Sequence, residues 1–183
     1  DRVFKTKHGV NAVVLANSDN SVSGGDLPYT VSGISGRAAY NYKEKYVVEA
    51  AFGYNGSNRY PPQGDFKRAF FPATGLAWNI DREAFLAQQK FISRLKLYGS
   101  FGKTGWDDPG YFSYFQRFFD ASSVFFGTSA GSQTAITEQP LANPNIDFEK
   151  ANKFNVGVDA ASLDNRLSFS VEYFNNKYYD LLQ

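Results

Sequence analysis

The sequence predicts an all-β protein built from antiparallel strands. Aromatic residues make up 17% of the 183 residues, with 18 Phe and 12 Tyr, and Gly is frequent at 16. Aromatic residues favour strands and Gly favours turns. Several segments alternate apolar and polar residues with period two, which is typical of a strand with two different faces. The third observation is a regular order of short and long connections between these segments.

Seven segments are predicted to be strands. The clearest is 166–173, where Leu, Phe, Val and Tyr at the odd positions alternate with polar residues at the even ones. The same alternation orders 154–160, 95–102, 46–54 and 37–42, and five segments that follow one rule indicate half-buried strands. The predicted strands are 9–18, 33–42, 45–55, 69–80, 92–102, 148–161 and 166–178.

The connections between these strands alternate in length along the chain. Short polar turns are predicted at 42–45 and 163–166, whereas the long connections are rich in Gly, Ser, Asn and Pro. Transmembrane β-barrels show this asymmetry, with short turns on the periplasmic side and long loops outside. The long connections are 17–31, 55–67 and 103–145, and the medium one, 81–91, has room for one helical turn.

Two architectures fit this pattern, a transmembrane barrel and a soluble β-sandwich. The predicted strands reach about ten residues, the length that crosses a bilayer at a tilt, whereas sandwich strands are usually shorter. Trp78, Tyr54 and Tyr173 lie near strand ends, as in the aromatic girdles of membrane barrels. The mean hydropathy of −0.40 does not separate the two, because alternating faces cancel in the average.

Composition excludes several other classes. A formal charge of +1 gives no field that would attract nucleic acid, and the absence of Cys excludes thiolate metal sites. No enzyme is predicted, since a Ser-His-acid hydrolase would depend on His8, the only His. No cofactor is predicted either. A Ca²⁺ ion held by Asp107, Asp108 and Asp120 is an alternative to a solvated loop there.

Short motifs along the chain resemble those of SusC/RagA-type TonB-dependent transporters. GRAAYNYKEKY at 36–46 is similar to the GRxxYxYxxKY hairpin of that family, and FFPATGLAW at 70–78 to its FFPSxSxxW. LKLYGSFGKTG at 95–105 is similar to LKLRxSYGxTGN, with Tyr98 in place of the usual Arg. LANPNIDFEK at 141–150 is similar to LxNPNLxWEK. Further similarities, all in family order, lie at 52–60, 83–85, 155–159 and 165–174.

The resemblance implies an outer-membrane receptor of a Gram-negative bacterium that imports oligosaccharides or oligopeptides with energy from TonB. Its implied partners are a SusD-like surface lipoprotein, TonB through an N-terminal part that precedes the barrel, and outer-membrane lipid. Residues 1–183 are expected to form part of a single transmembrane β-barrel domain, about seven strands of a larger barrel, without the plug domain or the closing strands. The alternative function is that of a soluble β-sandwich carbohydrate-binding module.

Two groups of residues are candidates for a site. Charged residues on the polar sides of the strands should point into the barrel lumen, where they meet substrate or pair across strands. These are Arg37, Glu49, Lys96, Asp159 and Glu172. Aromatic residues also crowd 106–126, and an exposed aromatic surface can bind sugar rings, apolar peptide side chains or a lipoprotein lid, or pack on itself. The candidates for such contact are Trp106, Tyr111, Tyr114, Phe115 and Phe118.

Overall fold

The computed structural model describes residues 2–4, 7–22, 27–61, 67–89, 91–106, 110, 112–126, 131–138 and 140–181. Within these residues the chain forms ten strands and one short 3-10 helix. The strands are β1 (Arg2–Phe4), β2 (His8–Ser21), β3 (Tyr29–Tyr42), β4 (Tyr46–Ser57), β5 (Lys67–Asn79), β6 (Ile92–Trp106), β7 (Phe118–Phe126), β8 (Gly131–Glu138), β9 (Glu149–Ser162) and β10 (Leu167–Tyr179). The 3-10 helix spans Ile80–Arg82.

Eight of the strands form one antiparallel sheet in the order β1-β2-β3-β4-β5-β6-β9-β10. Each strand lies beside its neighbour in the chain, except that β6 pairs with β9, and the described residues between these two strands lie outside this sheet. The seven long strands correspond to the seven predicted ones, five of which period-two alternation identified. This confirms the prediction of an all-β antiparallel sheet, to which the structure adds the short strand β1.

Each long strand extends beyond its predicted range at one end at least. They contain 12 to 15 residues, more than the 9–11 that a tilted strand needs to cross a bilayer. Because β2 continues to Ser21 and β3 begins at Tyr29, the connection predicted at 17–31 shrinks to 22–28. Trp106, predicted in a loop, is instead the last residue of β6.

The prediction that 103–145 is a loop throughout is wrong. Strands β7 and β8 pair there as a separate two-stranded antiparallel sheet. Their register shifts between Asp120 and Ser123, where two residues of β7 lie opposite one residue of β8, so β7 bulges by one extra residue. The bulge, together with the adjacent pairs Phe118-Phe119 and Phe125-Phe126, disrupts the alternation that identifies a strand from sequence.

The two short turns are built by backbone in the left-handed region. Lys43 and Glu44 have φ of 51° and 56°, and Leu163, Asp164 and Asn165 have φ of 54°, 56° and 64°. Asn and Asp tolerate this conformation better than most residues, which suits the second turn. After β5 the chain makes one 3-10 turn, in the connection that was expected to hold a helical turn. Among the described residues, no helix has both the length and the apolar run needed to cross a membrane.

The register gives the sheet two different faces. Residues paired directly across antiparallel strands share a face, and successive residues alternate. One side, called the apolar face below, carries Val10, Val14, Ile34, Tyr40, Val48, Phe52, Tyr54, Phe70, Leu76, Trp78, Leu97, Phe101, Phe154, Val156, Phe169, Val171 and Tyr173. The opposite side, called the polar face below, carries Arg37, Glu49, Lys96, Asp159 and Glu172.

Neither face is covered by a second sheet of comparable size in the described residues. Leu76 and Val171 on the apolar face remain 61% and 63% exposed. In a β-sandwich, such residues would interdigitate with those of a second sheet about 10 Å away. A strand sequence that alternates apolar and polar residues, with its apolar side left outward, is instead the arrangement of a membrane barrel wall.

Candidate functional site

Arg37 and Glu49 form the closest charge pair on the polar face. Arg37 on β3 donates from Nε to Glu49 Oε1 at 2.7 Å and from Nη2 to Glu49 Oε2 at 2.6 Å. The two residues occupy diagonal positions, since Arg37 pairs directly with Ala51 and Glu49 with Ala39. The geometry is the two-pronged contact that the planar guanidinium makes with a carboxylate.

The other three predicted charges lie on the same face and contact neighbouring strands. Lys96 and Asp159 are directly paired across β6 and β9. Asp159 Oδ1 accepts the Ser170 hydroxyl at 2.6 Å, and Glu172 Oε2 accepts the Tyr98 hydroxyl at 3.4 Å. These are cross-strand contacts within the wall. Exposure of the five charges to a barrel lumen stays a prediction.

Between these charges the polar face is lined by small residues. Ala51, Ala73, Gly75 and Gly102 surround a depression of about 250 Å³, to which Lys153 also contributes. A Cβ added at Gly102 would lie 2.9 Å from the Cβ of Ala73, so even a methyl group is too large at that position. Between its charged residues the polar face is therefore shallow, and its charged groups are carried by a few long side chains.

A small core fastens the long connections to the sheet at the end opposite the short turns, called the long-loop end below. Tyr60, Ile146 and Phe148 are almost fully buried there, and Phe71 and Tyr114 pack against them. The rings of Tyr60 and Phe148 are 4.2 Å apart between centroids, and Phe71 meets Phe148 edge-on at 6.0 Å. We call these five residues the loop-end core. None of them was singled out as buried from sequence.

Backbone and amide hydrogen bonds tie the same connections together. Asn58 accepts the Thr30 amide at its Oδ1 (3.0 Å) and donates from Nδ2 to the Pro28 carbonyl at 2.8 Å. The Tyr114 hydroxyl donates to the Asn58 carbonyl at 3.3 Å. The Asn143 amide donates to the Ser113 carbonyl at 2.9 Å. Three separate stretches of chain are thus held as one surface above the sheet.

Asp147 pairs with two lysines at this surface. Its carboxylate accepts Lys150 Nζ at 2.8 Å and lies 3.3 Å from Lys67 Nζ. Burial alone would raise the pKa of Asp147, but hydrogen bonds from Lys150, the Phe148 amide and Lys67 outweigh it and lower the pKa. Asp147 is therefore an anion bridging the start of β5 to the start of β9.

The predicted aromatic contact residues divide into packed and exposed ones. Tyr114 is partly buried in the loop-end core, and its ring lies 4.2 Å from that of Phe115. Trp106, Phe115 and Phe118 are 66%, 50% and 62% exposed. Tyr111 lies outside the described residues. The structure thus combines both alternatives, packing and exposure, within one aromatic segment.

A cavity of about 330 Å³ lies where the polar face meets the loop-end core. Asn17, Asn55 and Ser35 supply its polar groups, and Phe71 and Phe148 its aromatic ones. The Asn55 side chain lies across Gly33, where a Cβ would come within 1.9 Å of Asn55 Oδ1. The combination of amides and rings suits a neutral polar ligand. Sequence gave no signal for it, since its residues come from five strands and a loop.

A second cluster, at the short-turn end, was also missed. Glu83 Oε2 accepts Lys45 Nζ at 2.8 Å, while Oε1 accepts the Tyr46 hydroxyl at 2.7 Å and Trp78 Nε1 at 3.1 Å. We call these four residues the Glu83 cluster. Hydrogen bonds from Lys45, Tyr46 and Trp78 lower the pKa of the Glu83 carboxyl from 4.5 to about 2. The cluster locks the connection after β5 onto the turn before β4.

His8 and the acidic residues were the remaining candidates for catalysis or metal binding. His8 Nδ1 lies 2.8 Å from the Tyr40 hydroxyl, and its ring also packs near Tyr42. In the part of the chain that the structure describes, no three His, Cys, Asp or Glu residues are grouped as metal ligands. Asp107 and Asp108 of the Ca²⁺ alternative lie outside that part, and Asp120 is in β7.

These features define a class of protein: the wall of an antiparallel membrane β-barrel, apolar on one side and polar on the other. The family follows from comparison. Residues 4–183 match the family model described as TonB dependent receptor-like, beta-barrel, and the chain belongs to that family. The resemblance drawn from the ordered motifs to SusC/RagA-type TonB-dependent transporters is confirmed.

Individual relatives agree with this assignment. The chain is 32% identical over 149 residues to TonB-dependent receptor P3 of Formosa agariphila, covering 81% of the chain and 14% of that protein. It is 28% identical over 148 residues to TonB-dependent receptor SusC of Bacteroides thetaiotaomicron, covering 80% of the chain and 15% of SusC. The chain therefore spans about one seventh of the length of these relatives.

Among solved structures, the RagAB peptide transporter has the same fold. The match has a TM-score of 0.78 at 19% identity and covers 96% of this chain and 22% of that one. The RagAB peptide importer in its open-open state matches with a TM-score of 0.73 over 93% of this chain. At these identities the likeness shows the barrel fold alone.

Proposed function

We propose that this chain is part of an outer-membrane receptor that actively imports oligomeric nutrients, either oligosaccharides or oligopeptides, with energy from TonB. One observation carries the proposal: a family match over residues 4–183 falls on a sheet with one apolar and one polar face. A receptor of this kind needs binding outside the membrane and release inside, and no covalent chemistry. It is accordingly a transporter component and not an enzyme.

We place residues 1–183 within a single transmembrane barrel domain of a Gram-negative outer membrane. In this orientation the short turns at 42–45 and 163–166 face the periplasm and the long-loop end faces outside, as in other such barrels. Contact with TonB is assigned to the plug-side part of such a receptor. The polar face, with Arg37, Glu49 and Lys96 among its charged residues, lines the path of the substrate.

The long-loop end is the proposed capture surface. Trp106, Phe115 and Phe118 expose aromatic rings there, next to the packed Tyr114, and Tyr111 belongs to the same segment. Exposed apolar patches of this kind normally mark interaction surfaces. They either stack on substrate or seat a SusD-like lipoprotein lid, the type of partner that accompanies SusC-like receptors.

Changing Trp106 and Phe118 to Ala together, in the full transporter, tests this proposal. Phe85→Ala serves as the control, because Phe85 is 69% exposed but lies at the short-turn end. If the rings bind substrate, the double variant takes up substrate less well and binds it about tenfold or more weakly, with normal assembly. If the rings seat the lid, recovery of the lipoprotein falls and the affinity of the isolated barrel is unchanged. Normal uptake with normal lipoprotein recovery would refute both versions.

A further inference from the structure

The apolar face carries a groove of about 510 Å³ across β4, β5, β6 and β9. Its volume falls within the roughly 300–1,000 Å³ of typical small-molecule sites. Its lining is almost wholly apolar. The side chains that form its walls are Tyr46, Val48, Trp78, Leu97, Phe101 and Phe154.

The groove exists because Gly99 interrupts a row of large side chains on β6. Leu97 and Phe101 stand on either side of it on the same face, and Gly99 pairs with Leu76 on β5 and Val156 on β9. A Cβ at Gly99 would lie 3.4 Å from the Asn155 carbonyl oxygen and 3.9 Å from Val156 Cγ2, which are ordinary contacts. The space above Gly99 is therefore open and could hold a larger side chain.

The groove runs along the strands from the short-turn end to their middle. From Leu97 to Phe101 it extends four residues, roughly 13 Å at the usual rise of a strand. One leaflet of the hydrocarbon core is roughly 15 Å deep. Phe101 and Phe154 close the groove at mid-strand, and Tyr46 and Trp78 stand at its other end. Because the strands of membrane barrels tilt by about 35–45°, this length covers roughly 10 Å along the membrane normal, and the groove fits within one leaflet.

The mouth of the groove carries polar groups and two ion pairs. Tyr46 and Trp78 both donate hydrogen bonds to Glu83, which also holds Lys45 in an ion pair at 2.8 Å. A second ion pair, between Arg82 and Glu44, lies beside it, with both side chains more than half exposed. Each of these two ion pairs is without net charge. Such a surface complements a head group that itself carries one charge of each sign.

We propose that this groove is a binding site for a phospholipid of the leaflet on the short-turn side. One acyl chain lies over Gly99 between Leu97 and Phe101, and a zwitterionic head group lies at the level of the Glu83 cluster and Arg82. The site depends on the membrane-spanning sheet and is independent of which nutrient the receptor imports. It rests on the proposed function only for naming that leaflet as the periplasmic one.

A lipid chain fits this groove better than a second copy of the chain does. A stable protein interface buries roughly 800 Å² on each partner, which requires a broad complementary surface. The flat wall of another barrel would span Phe101 and Trp78 and leave the space over Gly99 empty. A flexible chain of methylenes can enter it and pack against its walls, which is the kind of contact that drives association inside a bilayer.

Native mass spectrometry of the full transporter, extracted from its own membrane in mild detergent, tests the proposal. Gly99→Leu fills the groove, and Leu76→Trp covers it from β5 in case the first variant does not assemble. Ala38→Leu is the matched control, because Ala38 is exposed and not part of the groove. The readouts are retained phospholipid per protein, its head group, and oligomeric state.

The expected result is a retained zwitterionic phospholipid on the natural protein and on Ala38→Leu. Gly99→Leu and Leu76→Trp should lower its occupancy about tenfold, because the added side chain takes the space over Gly99 that the acyl chain would fill. Equal retention by all variants, or retention of anionic lipid alone, would overturn the assignment. A change from dimer to monomer in Gly99→Leu with unchanged lipid would assign the groove to a second copy instead. Substrate uptake is measured in parallel, so a failure of the lipid site is distinguishable from a failure of import.

Discussion

Arg37 and Glu49 meet through two hydrogen bonds, at 2.7 and 2.6 Å, on adjacent strands of the polar face. Side chains alternate between faces, so sliding β3 past β4 by one residue would put the two charges on opposite sides of the sheet. The pair therefore marks the correct register. It also places a cation and an anion side by side on the face proposed to line the substrate path.

Reversing these charges tests the pair. Arg37→Glu or Glu49→Arg alone brings like charges together on the polar face, and each should lower the yield of assembled barrel. The double reversal restores an attractive pair and should recover most of that yield. Resistance of the folded barrel to SDS without heating is the measurement. Equal loss in all three variants would show that the residues contribute separately.

Substitutions at two adjacent aromatic residues of β10 test whether the two faces meet different environments. Tyr173, which was expected near a strand end, lies instead near the middle of β10. It is on the apolar face and Phe174 is on the polar face, and they are 60% and 66% exposed. Arg at Tyr173 should cost about 2–4 kcal/mol if that residue lies near mid-bilayer, whereas Arg at Phe174 should cost little. Reversible unfolding in lipid vesicles gives both values. Equal costs would contradict a membrane-facing apolar side.

The Glu83 cluster predicts a pH effect on stability. Because the folded pKa of Glu83, about 2, lies below its ordinary 4.5, the ionised carboxylate stabilises the fold above about pH 4.5. That stabilisation is lost as the pH falls from 4.5 towards 2. Glu83→Gln should be less stable than the natural protein at pH 7, and the gap should close over this window. A gap in thermal unfolding temperature that does not depend on pH would show that the charge is unimportant.

The loop-end core should control order at the proposed capture surface. Phe148 is 3% exposed, and replacing a buried Phe by Ala typically costs about 3–5 kcal/mol. Phe148→Ala should therefore increase amide hydrogen exchange across 58–60, 112–117 and 140–148. The control is Phe115→Ala, which removes a half-exposed ring from the same surface and should alter exchange only locally. Matching patterns in the two variants would argue against a shared core.

The strands were predictable because the wall obeys one local rule. Alternation identifies β10 and β9 directly, and the short turns between paired strands have polar sequences. The ends of β2 and β6 were missed because Asp19-Asn20-Ser21 and Lys103-Thr104-Gly105 do not alternate. At those positions the strand is held by pairing with a neighbour, which one sequence window does not reveal.

The site was less predictable because its contacts are long-range. Tyr60 and Phe148 are 88 positions apart, and their polar or Pro-rich surroundings suggest loops and not a core. The role of Glu83 depends on Lys45 and Tyr46 from an earlier turn. By contrast, the pairing of Arg37 with Glu49 could be anticipated, since both stand on the polar sides of strands joined by a short turn.

The connection between β6 and β9, at 107–148, can change in sequence without changing how the strands of the sheet pair. Closing a connection of roughly forty residues costs only about 2 kcal/mol more loop entropy than closing a turn of three. The fourteen paired positions between β6 and β9 offset that difference. This pairing does not depend on which residues form the connection between the two strands. New ligand specificities could therefore be gained by lengthening or exchanging this segment, while the barrel around it continues to assemble in the same order.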